Sequence, residues 1–384
     1  MLTNDNLLSK AQSETISLLR FPMALLVILI HNNSQYYYDW HSELDLMSFE
    51  GACFLLGHIL RLFAGIAVPT FFMISGFLFF NNFREFSWDG YKKKMKSRVK
   101  TLIIPYLLWN IAVWAALLAV RIVKMYYIGE TWDFVLNFIA EKNICFLWDI
   151  NHWGDANRPW LWWTTYATGP IDLPLWFLRD LIVVTVLSPL IYWFVKNLTI
   201  FSIVILFAAY VMSFWITWHG FSCTAFFYFT LGAYFAINGK NFVEFCGRYK
   251  TAILTAMAVF FTLTITRWIT DDYKSIVRNL FYVSTVLTAV YTASYFVTNK
   301  GVKANPLLVS SCFFIYASHA AALPKSPLWL VQKVFNFIIP GGGYFHQIIC
   351  YVVVPCVTAA GLVFAYWLLM KWLPKIGKVF CGGR

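Results

Sequence analysis

Charge is what this chain has least of. Asp, Glu, Lys and Arg make up 12% of its 384 residues, about half the share found in ordinary soluble domains, which argues against a water-soluble fold. Acidic side chains are the scarcer kind, 18 against 30 Lys and Arg, leaving a net charge of +12. The eight cysteines form no CxxC pair and have no accompanying histidine spacing, which removes the zinc-ribbon, redox-motif and disulfide-framework readings. Most of them read as small apolar core residues, and no metal site is expected. An internal repeat, a coiled-coil heptad, a Gly-rich phosphate loop and a low-complexity tract are also missing. The opening Met1–Lys10 is too polar for a cleaved signal peptide, so the first apolar segment after it is expected to be a retained helix.

Apolar residues, by contrast, are 60% of the chain, with 37 Phe and 18 Trp, and the mean hydropathy is +0.64. Apolar stretches recur from end to end with no polar linker between them. This predicts an all-α polytopic membrane protein built as one domain over residues 1–384. Ten transmembrane helices are expected, at roughly 17–36, 61–82, 101–121, 174–195, 199–218, 221–238, 250–268, 279–298, 307–323 and 346–371. With the N-terminus inside, 19 of the 30 basic residues fall in short cytoplasmic segments, so both termini are expected in the cytoplasm. The positive charge then meets anionic membrane lipid, and no nucleic-acid partner is needed to explain it. The segment 122–173 is expected outside, reaching Trp160-Leu161-Trp162-Trp163 near its end. Its aromatic faces suit either a lid over sugar rings or an interfacial belt at the headgroups.

Against this background the polar residues inside the spans stand out. Arg20 and His31 both lie in the first span, on nearly the same helical face and about 16 Å apart along the axis. His31 is a candidate proton acceptor or a structural histidine; Arg20 pairs with an anionic ligand or snorkels. Between the second and third spans, the basic loop 83–100 holds Arg84, Lys92, Lys93, Lys94, Lys96, Arg98 and Lys100. Such a cluster neutralises phosphates or anchors to anionic lipid, and Arg98 is the one nearest the mouth of the bundle. Gly65 and Gly76 mark either a cavity lining or close helix packing. Arg179 and Asp180 open the fourth span; as neighbours they point about 100° apart, so each is expected to pair with another helix. His319 gives a second imidazole near the outer end of the ninth span, and His219 suits an ordinary turn beside Trp218 and Gly220.

Several stretches in order, taken together, carry a resemblance. They are Arg20 and His31 with ten residues between them; Val68-Pro69-Thr70-Phe71-Phe72-Met73-Ile74-Ser75-Gly76-Phe77-Leu78; the basic loop leading to Ile104-Pro105-Tyr106; Leu175-Trp176-Phe177-Leu178; Phe227-Tyr228-Phe229-Thr230-Leu231-Gly232; and Tyr316-Ala317-Ser318-His319. In this order, over nearly the whole length, the chain resembles the acyltransferase-3 family of integral membrane acyltransferases, which includes bacterial O-acetyltransferases of envelope glycans. The resemblance implies an inner-membrane enzyme that takes an acyl group, acetyl first among them, from acyl-coenzyme A. It implies an envelope glycan or lipid-linked sugar as acceptor. His31 would be the general base or acyl-handling residue and Arg20 its companion. Arg98, Lys94, Lys96 and Arg84 would hold the coenzyme phosphates. Ser75, Tyr316 and Ser318 are donor candidates for the oxyanion, and His319 joins the catalytic set. Two departures stand against the pattern. The loop is mostly Lys where relatives often show Arg, and no esterase-like domain is expected after residue 371. A transporter or flippase for a lipid-linked sugar or small solute is the alternative that the polar residues and the basic face also fit.

Overall fold

The structure is a computed structural model that describes residues 9–32, 47–81, 83, 85–141, 144–149, 169–216, 218–266, 269–321 and 325–383. Among these the fold is all-α. The helices in chain order are α1 (Lys10–His31), α2 (Phe49–Ala64), α3 (Ala67–Phe80), α4 (Trp88–Arg98), α5 (Ile104–Ile128), α6 (Trp132–Glu141), α7 (Trp176–Val186), α8 (Ser188–Leu198), α9 (Ile200–Val211), α10 (Cys223–Ile237), α11 (Phe242–Arg248), α12 (Lys250–Ile265), α13 (Asp271–Lys300), α14 (Pro306–Ser318), α15 (Pro327–Ile338), α16 (Gly343–Trp372) and α17 (Pro374–Phe380).

The expectation of ten membrane crossings is wrong. Five segments are long and apolar enough to cross: Lys10–His31, Phe49–Phe80, Trp88–Ile128, Asp272–Lys300 and Gly343–Trp372; a sixth is formed if Leu173–Val186 and Ser188–Leu198, bent by 62°, count as one. An apolar run does not have to be one helix, and here several are cut. Pro189 lacks the N–H that would continue α7 into α8, and Thr199 and Ser213 take positive φ of 48° and 53°. At 1.5 Å per residue the 12 residues of α9 reach about 18 Å, well short of the roughly 30 Å hydrocarbon core. With five or six crossings the parity behind the placement of both termini in the cytoplasm is lost, and neither terminus is assigned a side. The aromatic run Trp160–Trp163 and the lid or belt expected of it lie outside the described residues.

At the centre of the bundle α3 is buried on nearly all sides and lies against α10. Their backbones meet at two glycines. A Cβ on Gly76 would come 2.0 Å from the Phe229 carbonyl oxygen, and one on Gly232 would come 1.9 Å from that of Met73, so only glycine allows this approach. Gly65, at the corner between α2 and α3, leaves room in the same way for the Tyr282 ring. Both glycines that the sequence left open are therefore packing glycines.

Helix α1 packs on α3, α13, α14 and α16, and both its ends are fixed by side chains. Ser9 and Gln12 form a reciprocal capping box at its start. Next to His31, the buried Asn32 donates from Nδ2 to the carbonyls of Cys350 (3.3 Å) and Tyr351 (3.2 Å). Pro355 in α16 has no N–H to offer Tyr351 four residues back, and Asn32 supplies the missing donor. The basic stretch is helical: α4 runs through a π-helical turn, Val99–Ile103, into α5. In that turn the N–H of Ile104 reaches the Val99 carbonyl, and Pro105 follows without a donor of its own.

Candidate active site

Two cavities lie at opposite ends of α1 and its neighbour α13. The first, about 670 Å³, is lined by Arg20 and Glu14 of α1, Ser75 of α3, Arg98 at the end of α4, Lys303 between α13 and α14, and Tyr316 of α14. Three cations thus face one carboxylate. None of the three has an ion pair among the described residues, although the Arg98 guanidinium stacks over the Phe79 ring at 5.7 Å. The π-turn begins right after Arg98, so α5 continues in a register shifted from that of α4. Lys303 sits between the helix stop at Gly301, φ 64°, and the start of α14 capped by Asn305.

The second cavity, about 710 Å³, is lined by His31, Trp176, Trp215, Trp218, Arg278 and Tyr282, with the Arg179–Asp180 pair on its wall. The first turn of α7 separates the two spaces. Trp176, Arg179 and Asp180 line the second, whereas Phe177, Leu178 and Leu181 line the first, as helical periodicity places them on different faces. Arg179 and Asp180 do pair with each other, Nε to Oδ1 at 3.1 Å, contrary to the expectation from their angular separation. The long arginine side chain swings round its own helix. Arg179 Nη1 also donates to the Trp148 carbonyl at 2.8 Å, and Ser222 hydrogen-bonds to Asp180, so the buried pair is held from both sides.

His31 and His319 meet at this partition, with ring centroids 5.1 Å apart. His319 is fully buried. Its Nδ1 lies 3.1 Å from the Ile315 carbonyl and 2.8 Å from that of Tyr316. Both neighbours are acceptors, so Nδ1 carries the proton and Nε2 keeps its lone pair, with no partner among the described residues. Tyr316, in the wall of the first cavity, stands 6.5 Å from His319, and its hydroxyl donates to the Pro174 carbonyl. Ser318 donates to the Phe314 carbonyl at 2.7 Å. Of the three hydroxyls considered as oxyanion donors, Ser75 is the one that lines a cavity with no such carbonyl partner among the described residues.

Of the residues singled out in the sequence, then, Arg20, Ser75 and Arg98 share the first cavity, His31 faces the second, and His319 joins His31 between them. Lys94 turns instead to the Phe83 ring at 5.6 Å, Lys96 is exposed, and Arg84 lies outside the described residues. His219 is not at the site: its Nδ1 lies 2.6 Å from Asp149, tying the 218–221 turn to the 144–149 segment. Buried Asn110 accepts from the Asp172 N–H at 3.1 Å and donates to the Tyr106 carbonyl at 2.8 Å. Sequence reasoning missed Arg278 and Tyr282, and it counted Lys303 only as a loop charge. The available signal was a cation at the very edge of an apolar span, one turn before an aromatic residue.

Residues 14–378 match the acyltransferase-3 family, described as an acyltransferase domain. The chain belongs to that family. The similar proteins include the succinoglycan biosynthesis protein ExoH of Rhizobium meliloti (strain 1021), 30% identical over 139 residues, which is 34% of this chain and 32% of that protein. The chain therefore matches about a third of that relative's length. No solved structure matches the chain. In this acyltransferase-3 protein, no group of three His, Cys, Asp or Glu side chains that could hold a metal occurs among the described residues.

Proposed function

We propose that the protein moves an acyl group, acetyl first among them, from acyl-coenzyme A to a hydroxyl of a cell-envelope polysaccharide or its lipid-linked precursor, in a bacterial inner membrane. The observation that carries this reading is the His31–His319 contact at the wall between a cationic cavity and an aromatic one. Family membership supports acyl transfer, and the name of the Rhizobium relative supports a polysaccharide acceptor. Arg98, Arg20 and Lys303 suit the coenzyme phosphates, Arg98 by its planar fork. The tryptophans of the second cavity suit the faces of sugar rings.

In the proposed step the acceptor oxygen attacks the thioester carbonyl, forming the C–O bond and a tetrahedral oxyanion, whose collapse breaks the C–S bond. His31 takes the hydroxyl proton and returns it to the departing sulfur. His319, fixed by two backbone carbonyls, holds the His31 ring in place. Ser75 is the donor proposed to stabilise the tetrahedral oxyanion.

The test is release of free thiol by purified protein in nanodiscs, supplied with acetyl-coenzyme A with and without crude envelope glycan. Glycan-dependent release that falls about 100-fold or more in His31→Ala is the expected result. No release with acetyl-, propionyl- or butyryl-coenzyme A and glycan, or release unchanged in His31→Ala, overturns the reading.

A further inference from the structure

The charges of the second cavity do not balance. Asp180 is neutralised by Arg179 at 3.1 Å, which leaves Arg278 as the uncompensated charge among the described residues of the wall. Arg278 is exposed to the cavity mouth and has no hydrogen bond or ion pair among the described residues. Among the described residues, the cavity lining adds no other carboxylate beside it. Tyr282, one turn further along α13, lines the cavity beside it, and Asn279 is occupied in donating to the Tyr210 carbonyl at 2.9 Å. Arg61 lies within electrostatic reach of both Tyr282 and His31, adding to the positive field. A cavity built for a neutral sugar needs stacking faces and balanced hydrogen bonds. This one adds a free guanidinium fork, whose geometry fits a carboxylate or phosphate.

We infer that the acceptor bound in the second cavity is anionic, carrying a carboxylate or phosphate that pairs with Arg278 while its sugar ring stacks on the tryptophan wall beside His31. This rests on the reading of the second cavity as the acceptor side. A uronic acid within the glycan and the diphosphate of a lipid-linked sugar offer the same chemistry.

The experiment uses the full chain in phosphatidylcholine nanodiscs at low salt, so that anionic lipid does not compete. Binding is measured for a fluorescently labelled glucuronate-containing tetrasaccharide and for its carboxyl-reduced counterpart, with inorganic pyrophosphate as a competitor. The wild-type chain is expected to bind the acidic probe about tenfold more tightly than the reduced one, as a single charge-assisted bond provides. In Arg278→Gln the two probes should bind alike, and Arg278→Lys should keep part of the preference. Displacement of the acidic probe by pyrophosphate points to the lipid diphosphate, and failure to displace it points to the uronate. Equal binding of the two probes by the wild-type chain, or a preference that persists in Arg278→Gln, overturns the inference. The first comparison needs no variant to fold. Thiol release measured on the same samples separates the two readings: intact transfer without acid preference removes only this inference, whereas acid preference without transfer removes only the enzymatic step.

Discussion

Arg20 and His31 share one face of α1 yet line different cavities, so the first helix links the proposed phosphate-binding region to the proposed proton-accepting one. The cations around the first cavity are not equivalent. Arg98 is half-buried, stacked on Phe79 and directed into the space, whereas Lys96, two residues away, is exposed and does not line it. Charge-assisted hydrogen bonds to a partly desolvated phosphate contribute about 1.5–3 kcal/mol, while an exposed charge is screened and contributes little. Arg98→Gln is therefore expected to raise the KM for acyl-coenzyme A at least tenfold, with kcat nearly unchanged. Lys96→Gln should change KM less than about twofold. Steady-state kinetics with acetyl-coenzyme A decides it, and equal effects of the two variants would reduce the cluster to a lipid anchor.

Among the elements, the α3–α10 crossing sets the geometry of the site, because α3 carries Ser75 one residue before the glycine of closest approach. Alanine at Gly76 would put its Cβ 2.0 Å from the Phe229 carbonyl oxygen, an atom of the backbone that cannot rotate away. The helices must separate, and such overpacking costs about 3 kcal/mol or more. Gly361 in α16 has nothing within 4 Å of the same added atom, so alanine there is expected to be neutral or, by helix propensity, stabilising by up to about 1 kcal/mol. Thermal unfolding of both variants in one detergent should lower the midpoint for Gly76→Ala and leave or raise it for Gly361→Ala. This also shows what could be read in the sequence. Residue type and order pointed to the helical class, the family and the polar residues worth following, because lipid admits few polar groups without a reason. Helix length did not follow from hydropathy. Pro189, Thr199 and Ser213 break a nearly continuous apolar stretch, and nothing in an apolar count separates four short helices from the three longer spans expected there. The Arg179–Asp180 contact was equally hidden, since a rule about helix angles says little about a four-carbon side chain that can fold back.

For the molecule as a whole, the decisive feature is that the cavities occupy opposite ends of two long helices that pack together. Glu14 and Lys303 mark one end, near the start of α1 and just beyond the end of α13; His31 and Arg278 mark the other, at the end of α1 and in the first turns of α13. A donor and an acceptor could then approach from opposite sides and meet at the histidine pair, with no need for either to cross the bundle. Ser310 of α14 lines the first cavity and Thr224 of α10 the second, and both are half-buried polar positions. Cysteine placed at each, one at a time, should react with a membrane-impermeant maleimide in uniformly oriented proteoliposomes, scored as the gain over the parent chain. Ser310→Cys and Thr224→Cys are expected to be labelled from opposite sides, and acetyl-coenzyme A should protect Ser310→Cys alone. Labelling of both from one side would mean that the two cavities share an entrance, and the separation of donor from acceptor by the first turn of α7 would have to be abandoned.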